Sequence, residues 1–416
     1  STEPYQATIE RLDGVFRKLW ADQGLAPVAR ADDWTIARRM SLALCGTIPS
    51  LEEIRRLQAR PSESRLDSWL EDLLADRRCS DYLAERFARA YVGTEDGPFL
   101  LFRRRRFTTW LSDAFLANRP YHAIVRDLIA ENGLWTDHPA TNFVSVTFSQ
   151  EKQRPDPERL AARFSRCFLG ARLDCAQCHD HPFDQWKQSE FRGLAAFFGG
   201  LHADLRGIRE GENDYRPPHR KTQEPTDVAP AVPFEPELLP AQGELRRRLA
   251  EWVVHPKNPS LARATVNRVW ALLLGRPLSE PVDDLPSEGD LPEPLRMLAE
   301  DFLQNGYDLH RLIRVITGSE VFRLSSATLD GEGPSEEQEQ AWAAFPLTRL
   351  RPEQVAGAIF QSSSLTTIRS DSFWLVRLAT FTGSNDFIRR HGDTGEDEFN
   401  ARGGTIPQRL LLMNGD

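Results

Sequence analysis

Apolar residues recur at helical spacing from the start of the chain. Ile9, Leu12, Phe16, Leu19 and Trp20 share one face and predict an amphipathic helix over residues 5–24. Asp32 and Asp33 form an N-cap for a helix through Trp34, Ala37, Met40 and Leu44, and Pro49-Ser50 stops it and caps residues 51–59. Segments 64–74, 80–92, 107–116 and 121–129 repeat the pattern. Residues 134–156 are polar and irregular, with a β-like apolar run at 143–148. Pro157-Glu158 opens a helix through Leu160, Phe164 and Phe168, and residues 190–198 form another whose Gly193, Ala195 and Ala196 leave one side narrow. A flat macrocycle or a second helix could lie on that side.

Residues 209–240 change character. Proline appears at 217, 218, 225, 230, 233, 236 and 240, which excludes a regular helix. Helical spacing then returns over 242–254, over 261–274 after the Asn258-Pro259-Ser260 cap, and over 291–305, which stops at Gly306. It continues over 309–317, 337–345, 352–361 and 373–381, with 383–404 as loop and 406–413 as a last short helix. The fold class expected is mainly α. Two helical domains, 1–208 and 241–416, are joined by a Pro-rich linker at 209–240, and the candidate haem or metal site lies in the first.

Composition narrows the partners. A net charge of −9 over 416 residues argues against nucleic acid, and the run Arg103–Arg106 reads as a solvated helix start. No apolar run approaches the roughly 20 residues of a membrane span. The chain begins Ser-Thr-Glu-Pro, which fits a mature form whose signal or anchor was removed.

The most specific chemistry lies in Cys175-Ala-Gln-Cys178-His179-Asp-His181-Pro182-Phe183. Two cysteines three apart followed by histidine is the attachment pattern of a c-type haem. Each thiol adds to one vinyl group, and the next residue then lies under the iron as an axial imidazole. A structural zinc site is the alternative, with Cys175, Cys178 and His179 or His181 as ligands; a redox dithiol is another. The three remaining cysteines, Cys45, Cys79 and Cys167, form no disulfide framework. They read as buried free thiols, with a single Cys45–Cys79 bridge possible.

Several phrases add up along the chain: Gly46-Thr-Ile-Pro49, Phe168 through Phe183, Gly193 through Phe198, Asn267-Arg268-Val-Trp270, Pro281-Val-Asp283-Asp284, Gly306-Tyr-Asp308 and Leu411-Leu-Met413-Asn414-Gly415. Together they resemble the planctomycete family of secreted cytochrome-c-like proteins, in which an N-terminal cytochrome-like domain of unknown function precedes a C-terminal companion domain. The resemblance implies export to the periplasm or beyond, covalent haem c at Cys175, Cys178 and His179, and a periplasmic redox partner or neighbouring secreted protein. It implies no particular reaction. Relatives often carry His just after the Trp of Asn-Arg-Val-Trp, whereas this chain has Leu272.

His179 is the expected proximal ligand. His181 is an alternative metal ligand or a group that orients His179. Asp180 and Asp184 could accept an imidazole N–H. Met413 is a weak distal candidate beside Met40, His122 and His202. Asp283 and Asp284 could pair with Arg268 or Arg276, in a network fixing the second domain or lining a groove. Three functions stay open: an electron-transfer protein of the cell envelope, a haem-dependent oxidoreductase, and a zinc-stabilised module that binds a secreted partner.

Overall fold

The computed structural model describes residues 5–94, 104–180, 186–218, 224–286, 288–328 and 333–368, with only the backbone of Cys175 and Glu288. Among these the chain is mainly helical: 17 α-helices and two two-stranded antiparallel hairpins. It divides into two compact units. One comprises 1–18, 84–270 and 277–319; the other comprises 19–83, 271–276 and 320–416.

In the second unit, local chemistry sets the helix ends. The Asp32 carboxylate accepts the N–H groups of Trp34 and Thr35 at 2.9 and 3.0 Å, which starts Asp33–Cys45. Ser50 and Glu53 form a reciprocal capping box that starts Leu51–Gln58. Gly46 ends the first of these at φ 64°, where a Cβ would stand 2.5 Å from the Tyr82 ring. Inside the unit, Trp69 donates its indole N–H to the Ala37 carbonyl at 3.2 Å. Gln354, on Pro352–Ser362, donates to the Leu42 carbonyl at 2.9 Å. The Arg39 guanidinium lies 3.3 Å from the centroid of Phe345.

Cys45 and Cys79 are bridged, so the expectation of free thiols at these positions is corrected. The bridge spans 34 residues, a loop whose closure contributes about 3–4 kcal/mol on chain-entropy grounds. Cys167 is the buried thiol that was expected.

The first unit holds the aromatic core. Tyr91 packs on Phe168 and Phe143 at centroid distances of 5.7 and 6.4 Å, and Phe164 packs on Phe168 at 5.6 Å. The fully buried Arg246 donates to the carbonyls of Ile129 and Glu131 at 2.9 and 3.1 Å, tying Leu245–Val253 to the end of Tyr121–Ala130. Thr8, Asp301 and Arg311 form a buried polar cluster. Arg104 forks onto Glu85 at 2.7 and 2.8 Å, so part of the basic run is held internally.

Burial also explains how this unit should respond to alkali. Desolvation raises the Tyr91 hydroxyl well above its ordinary value and pushes Tyr121 up to about 12 and the Cys167 thiol up to about 11. These acids stay protonated in the fold after they would ionise in the unfolded chain. Their contribution is complete below the ordinary thiol value of 9.0 and is lost as pH climbs through about 11 to 12. Urea midpoints are therefore expected to fall steadily from pH 9 upward, and Cys167→Ala should lessen the early part of that fall.

Three local expectations are corrected. The run at 143–148 is a helical turn at Asn142–Ser145, followed by a strand of two residues, Phe148–Ser149. Short apolar runs carry no period that separates strand from buried helix. Helix 337–345 shortens to Glu336–Gln340. The hairpin Leu201–Asp204 with Gly207–Glu210 has no counterpart in the sequence reading. The helices expected at 373–381 and 406–413 lie outside the described residues.

Residues 209–240 fall within the first unit. Tyr215 and Val232 are buried, the Trp252 indole donates to the Glu235 carbonyl at 3.2 Å, and Arg192 donates to the Pro218 carbonyl at 3.0 Å. Ala231 donates its N–H to the Gly193 carbonyl at 3.1 Å, and a Cβ on Gly193 would stand 3.0 Å from Ala231. The narrow side of helix Gln188–Ala195 at Gly193 is therefore covered by the proline-rich segment, not by a macrocycle or a second helix.

Candidate functional site

The site is delivered by one arm of the first unit. Asp156 caps helix Pro157–Phe164 by accepting the N–H groups of Glu158 and Arg159 at 3.0 and 3.2 Å. Pro157 stands in the first turn, where its missing N–H costs nothing. The helix widens into a five-residue π turn, Ser165–Leu169, and stops at Gly170 with φ 62°. A π turn is a frequent mark of a functional segment. The chain then runs as an arm into the 3₁₀ turn Leu173–Gln177, which carries Cys175, with Cys178 next after it.

Leu173 and Ala176 are fully buried, while Gln177, Cys178, His179 and Asp180 are exposed. The turn thus anchors Leu173 and Ala176 in the core and presents residues 177–180 to solvent. Cys178 is a free thiol. The His179 Nδ1 lies 2.7 Å from the Asp180 carbonyl oxygen. A carbonyl can only accept, so Nδ1 carries the hydrogen and the neutral ring keeps its lone pair on Nε2. The Asp180 carboxylate, read as a possible acceptor for an imidazole N–H, accepts the Gln188 N–H at 2.9 Å. It is the backbone of Asp180 that fixes the histidine. His181 and Asp184 lie outside the described residues.

This donor set fits a c-type haem in its chemistry. The exposed thiol can be alkylated, and the imidazole tautomer leaves Nε2 free for an axial bond. Among the described residues no three His, Cys, Asp or Glu side chains are grouped to hold a metal ion. The alternative zinc set draws on Cys175 and His181, whose side chains are not described.

The arm is braced by a loop more than a hundred residues later in the chain. Leu285 donates its N–H to the Gly170 carbonyl at 2.7 Å. Arg172 donates its backbone N–H to Asp284 at 3.1 Å and its guanidinium to Asp283 Oδ1 at 2.7 and 3.0 Å. Hydrogen bonding to Asp283 is the main reason the Arg172 guanidinium is held above its ordinary value. Arg166 pairs with Asp174 through Nε at 2.9 Å and reaches the second oxygen of Asp283 at 3.8 Å. Asn267 holds the bracing loop: its amide donates to the Ser279 and Val282 carbonyls at 2.8 and 3.3 Å and accepts the Ser279 N–H at 3.0 Å.

Asp283 and Asp284 were read as possible partners of Arg268 or Arg276. Both accept from Arg172, on the arm of the motif. Arg276 hydrogen-bonds to the Glu339 carbonyl and lies 3.8 Å from the Trp342 ring centroid. Trp270 stacks on Phe16 at 5.8 Å. Arg166, Arg172 and Asp174 had no sequence signal. Arg166 and Asp174 are eight apart, a spacing that no regular element brings into pairing.

Two family models match the chain. Residues 11–203 match PSCyt2, a protein of unknown function (DUF1549), and residues 245–377 match PSD1, a protein of unknown function (DUF1553). The chain therefore pairs a PSCyt2 match with a PSD1 match. The Cys175–His179 motif and its arm lie in the PSCyt2 part, and Asn267 and Asp283 lie in the PSD1 part. No curated protein and no solved structure matches the chain.

Three of the four distal candidates stand on described elements. His122 is half-buried on Tyr121–Ala130, its ring 5.4 Å from that of Tyr307, and desolvation lowers its basicity. His202 is exposed on its hairpin, beside Gly211. Met40 is fully buried in the second unit, and Met413 lies outside the described residues. Among the described residues no helix is long and apolar enough to cross a membrane.

Proposed function

We propose that this protein is a single-haem, c-type cytochrome-like redox protein of the cell envelope. The observation that carries the reading is the Cys175–His179 segment: an exposed free thiol at Cys178 and a histidine whose Nδ1–H is committed to a backbone carbonyl, leaving Nε2 for iron. Cys175 and Cys178 would hold the macrocycle by thioethers, and His179 would hold the iron. Bound there, the haem would supply one-electron chemistry at its iron.

The chain's own residues keep His179 in one tautomer and anchor the turn through Leu173 and Ala176. Export is part of the same reading. The Cys45–Cys79 bridge supports it, because such bridges persist in oxidising compartments. The partner would be a periplasmic redox protein or a neighbouring secreted protein. The matched regions end at 203 and resume at 245, which supports reading 209–240 as the join between two sequence domains.

The test is expression in a host with a cytochrome c maturation system. The expected product keeps its colour through acid–acetone extraction and has the mass of the chain plus one haem. A colourless product of unmodified mass from that host would reject the reading. Zinc in such a product, lost on replacing either His179 or His181, would favour the metal-stabilised module instead.

A further inference from the structure

The arm that carries the motif is tied at alternate residues. Gly170 is held by Leu285, Arg172 by Asp283 and Asp284, and Asp174, adjacent to Cys175, by Arg166. Asp283 joins these ties. Its side chain is one-tenth exposed; one oxygen takes both Arg172 donors, and the other faces Arg166 at 3.8 Å. Four charges are therefore linked in the order Arg172, Asp283, Arg166, Asp174, alternating in sign up to the residue before the first cysteine. Asn267 fixes the loop that supplies Asp283.

A thioether-bound macrocycle needs two sulfurs and one imidazole nitrogen at set positions, and such positions must be held by packing and hydrogen bonds behind them. On the motif's own side, Gln177 is tied to Glu158 at 2.7 Å and accepts from Gln188 at 3.0 Å through its carbonyl, both at exposed positions. The ties at Gly170 and Arg172 come from the 279–285 loop. We propose that Asp283, acting through Arg172 and Arg166, is the positioning residue of the Cys175–His179 segment, and that the PSD1-matched part serves the PSCyt2-matched part by supplying it. The consequence for the iron rests on the haem reading above; the consequence for the segment does not.

The test uses the full chain, with and without haem. Variants are Asp283→Asn, Asp283→Glu and Arg172→Lys, which keeps the charge but loses the fork. Asp301→Asn is the comparison, since it disrupts a buried ion pair elsewhere in the same unit. Backbone amide exchange over 170–180, urea midpoints and the absorption spectrum are measured together.

Asp283→Asn and Arg172→Lys should speed exchange over 170–180 by about 10- to 100-fold, the scale of a lost charge-assisted hydrogen bond. In the loaded chain they should lower the fraction of iron carrying His179. Asp283→Glu should recover much of both. Asp301→Asn should lower the urea midpoint without a selective effect on 170–180 or on the spectrum. If Asp283→Asn does not fold, Arg172→Lys carries the same comparison. Exchange over 170–180 that rises no more than with Asp301→Asn at matched stability overturns the proposal. A loaded Asp283→Asn with an unchanged spectrum overturns its consequence for the iron. A wild-type chain that never takes haem overturns the haem reading alone, and exchange in the unloaded chain still decides whether Asp283 positions the segment.

Discussion

His179→Ala should abolish the imidazole-ligated spectrum while both thioethers persist, and His181→Ala should keep that spectrum. The unequal outcome follows from the attachment chemistry. Thioethers at 175 and 178 would bring residue 179 to the iron, whereas residue 181 lies outside the five-residue attachment pattern. His179 also has its Nδ1–H committed to the Asp180 carbonyl, so its Nε2 is the available donor. His181→Ala should alter only the tuning of the site, by about 10- to 100-fold in affinity or rate. Spectra and mass of the two single variants decide it. Equal loss of bound metal in both would overturn the haem reading and favour a zinc site with both histidines as ligands.

Asp301→Ala should cost about 3–5 kcal/mol of stability, because it leaves the Arg311 charge buried with its main partner gone. Asp301 accepts from Thr8 at 2.8 Å and from Arg311 at 2.8 and 3.0 Å, and Asn305 adds a donor at 3.3 Å. Arg311 also donates to Thr8 at 3.0 Å, so the three side chains form one linked cluster. Helix Tyr5–Asp22 joins the cluster through Thr8, and helices Glu293–Gln304 and Leu309–Gly318 through Asp301 and Arg311. Urea unfolding measures the loss. Replacing both charges, Asp301→Leu with Arg311→Met, should recover most of it, since the main penalty is an unpaired buried charge and not the absence of an ion pair. A single variant within 1 kcal/mol of wild type would show that water already reaches the cluster.

Much of the helical content was legible in the sequence. Asp32, Ser50 and Asn258 stand where their side chains meet the first free N–H groups of a helix, and each does so in the structure. Such contacts span two or three residues, so local order suffices to specify them. Apolar spacing likewise placed Leu12, Phe16, Met40 and Trp270 in the core. The attachment motif was legible for the same reason, since two thiols and an imidazole within five residues need no distant partner.

Where partners are distant, order along the chain was not enough. Asp283 lies near Arg268 and Arg276 in sequence but pairs with Arg172, 111 residues away. An aspartate can pair with any of the chain's many arginines, and the packing of the 279–285 loop on the arm brings Arg172 and Arg166 to Asp283. The narrow side at Gly193 specified a close approach but not its occupant; Ala231 fills it because the proline-rich segment lies back on the first unit. Cys45 and Cys79 became a bridge and Cys167 did not, because a bond between thiols needs proximity in space. The sequence by itself determined most of the described helices, several of their caps and the residue types of the motif. The tertiary structure decided which charges brace that motif and which cysteines meet, because those depend on contacts between segments that nothing local brings together.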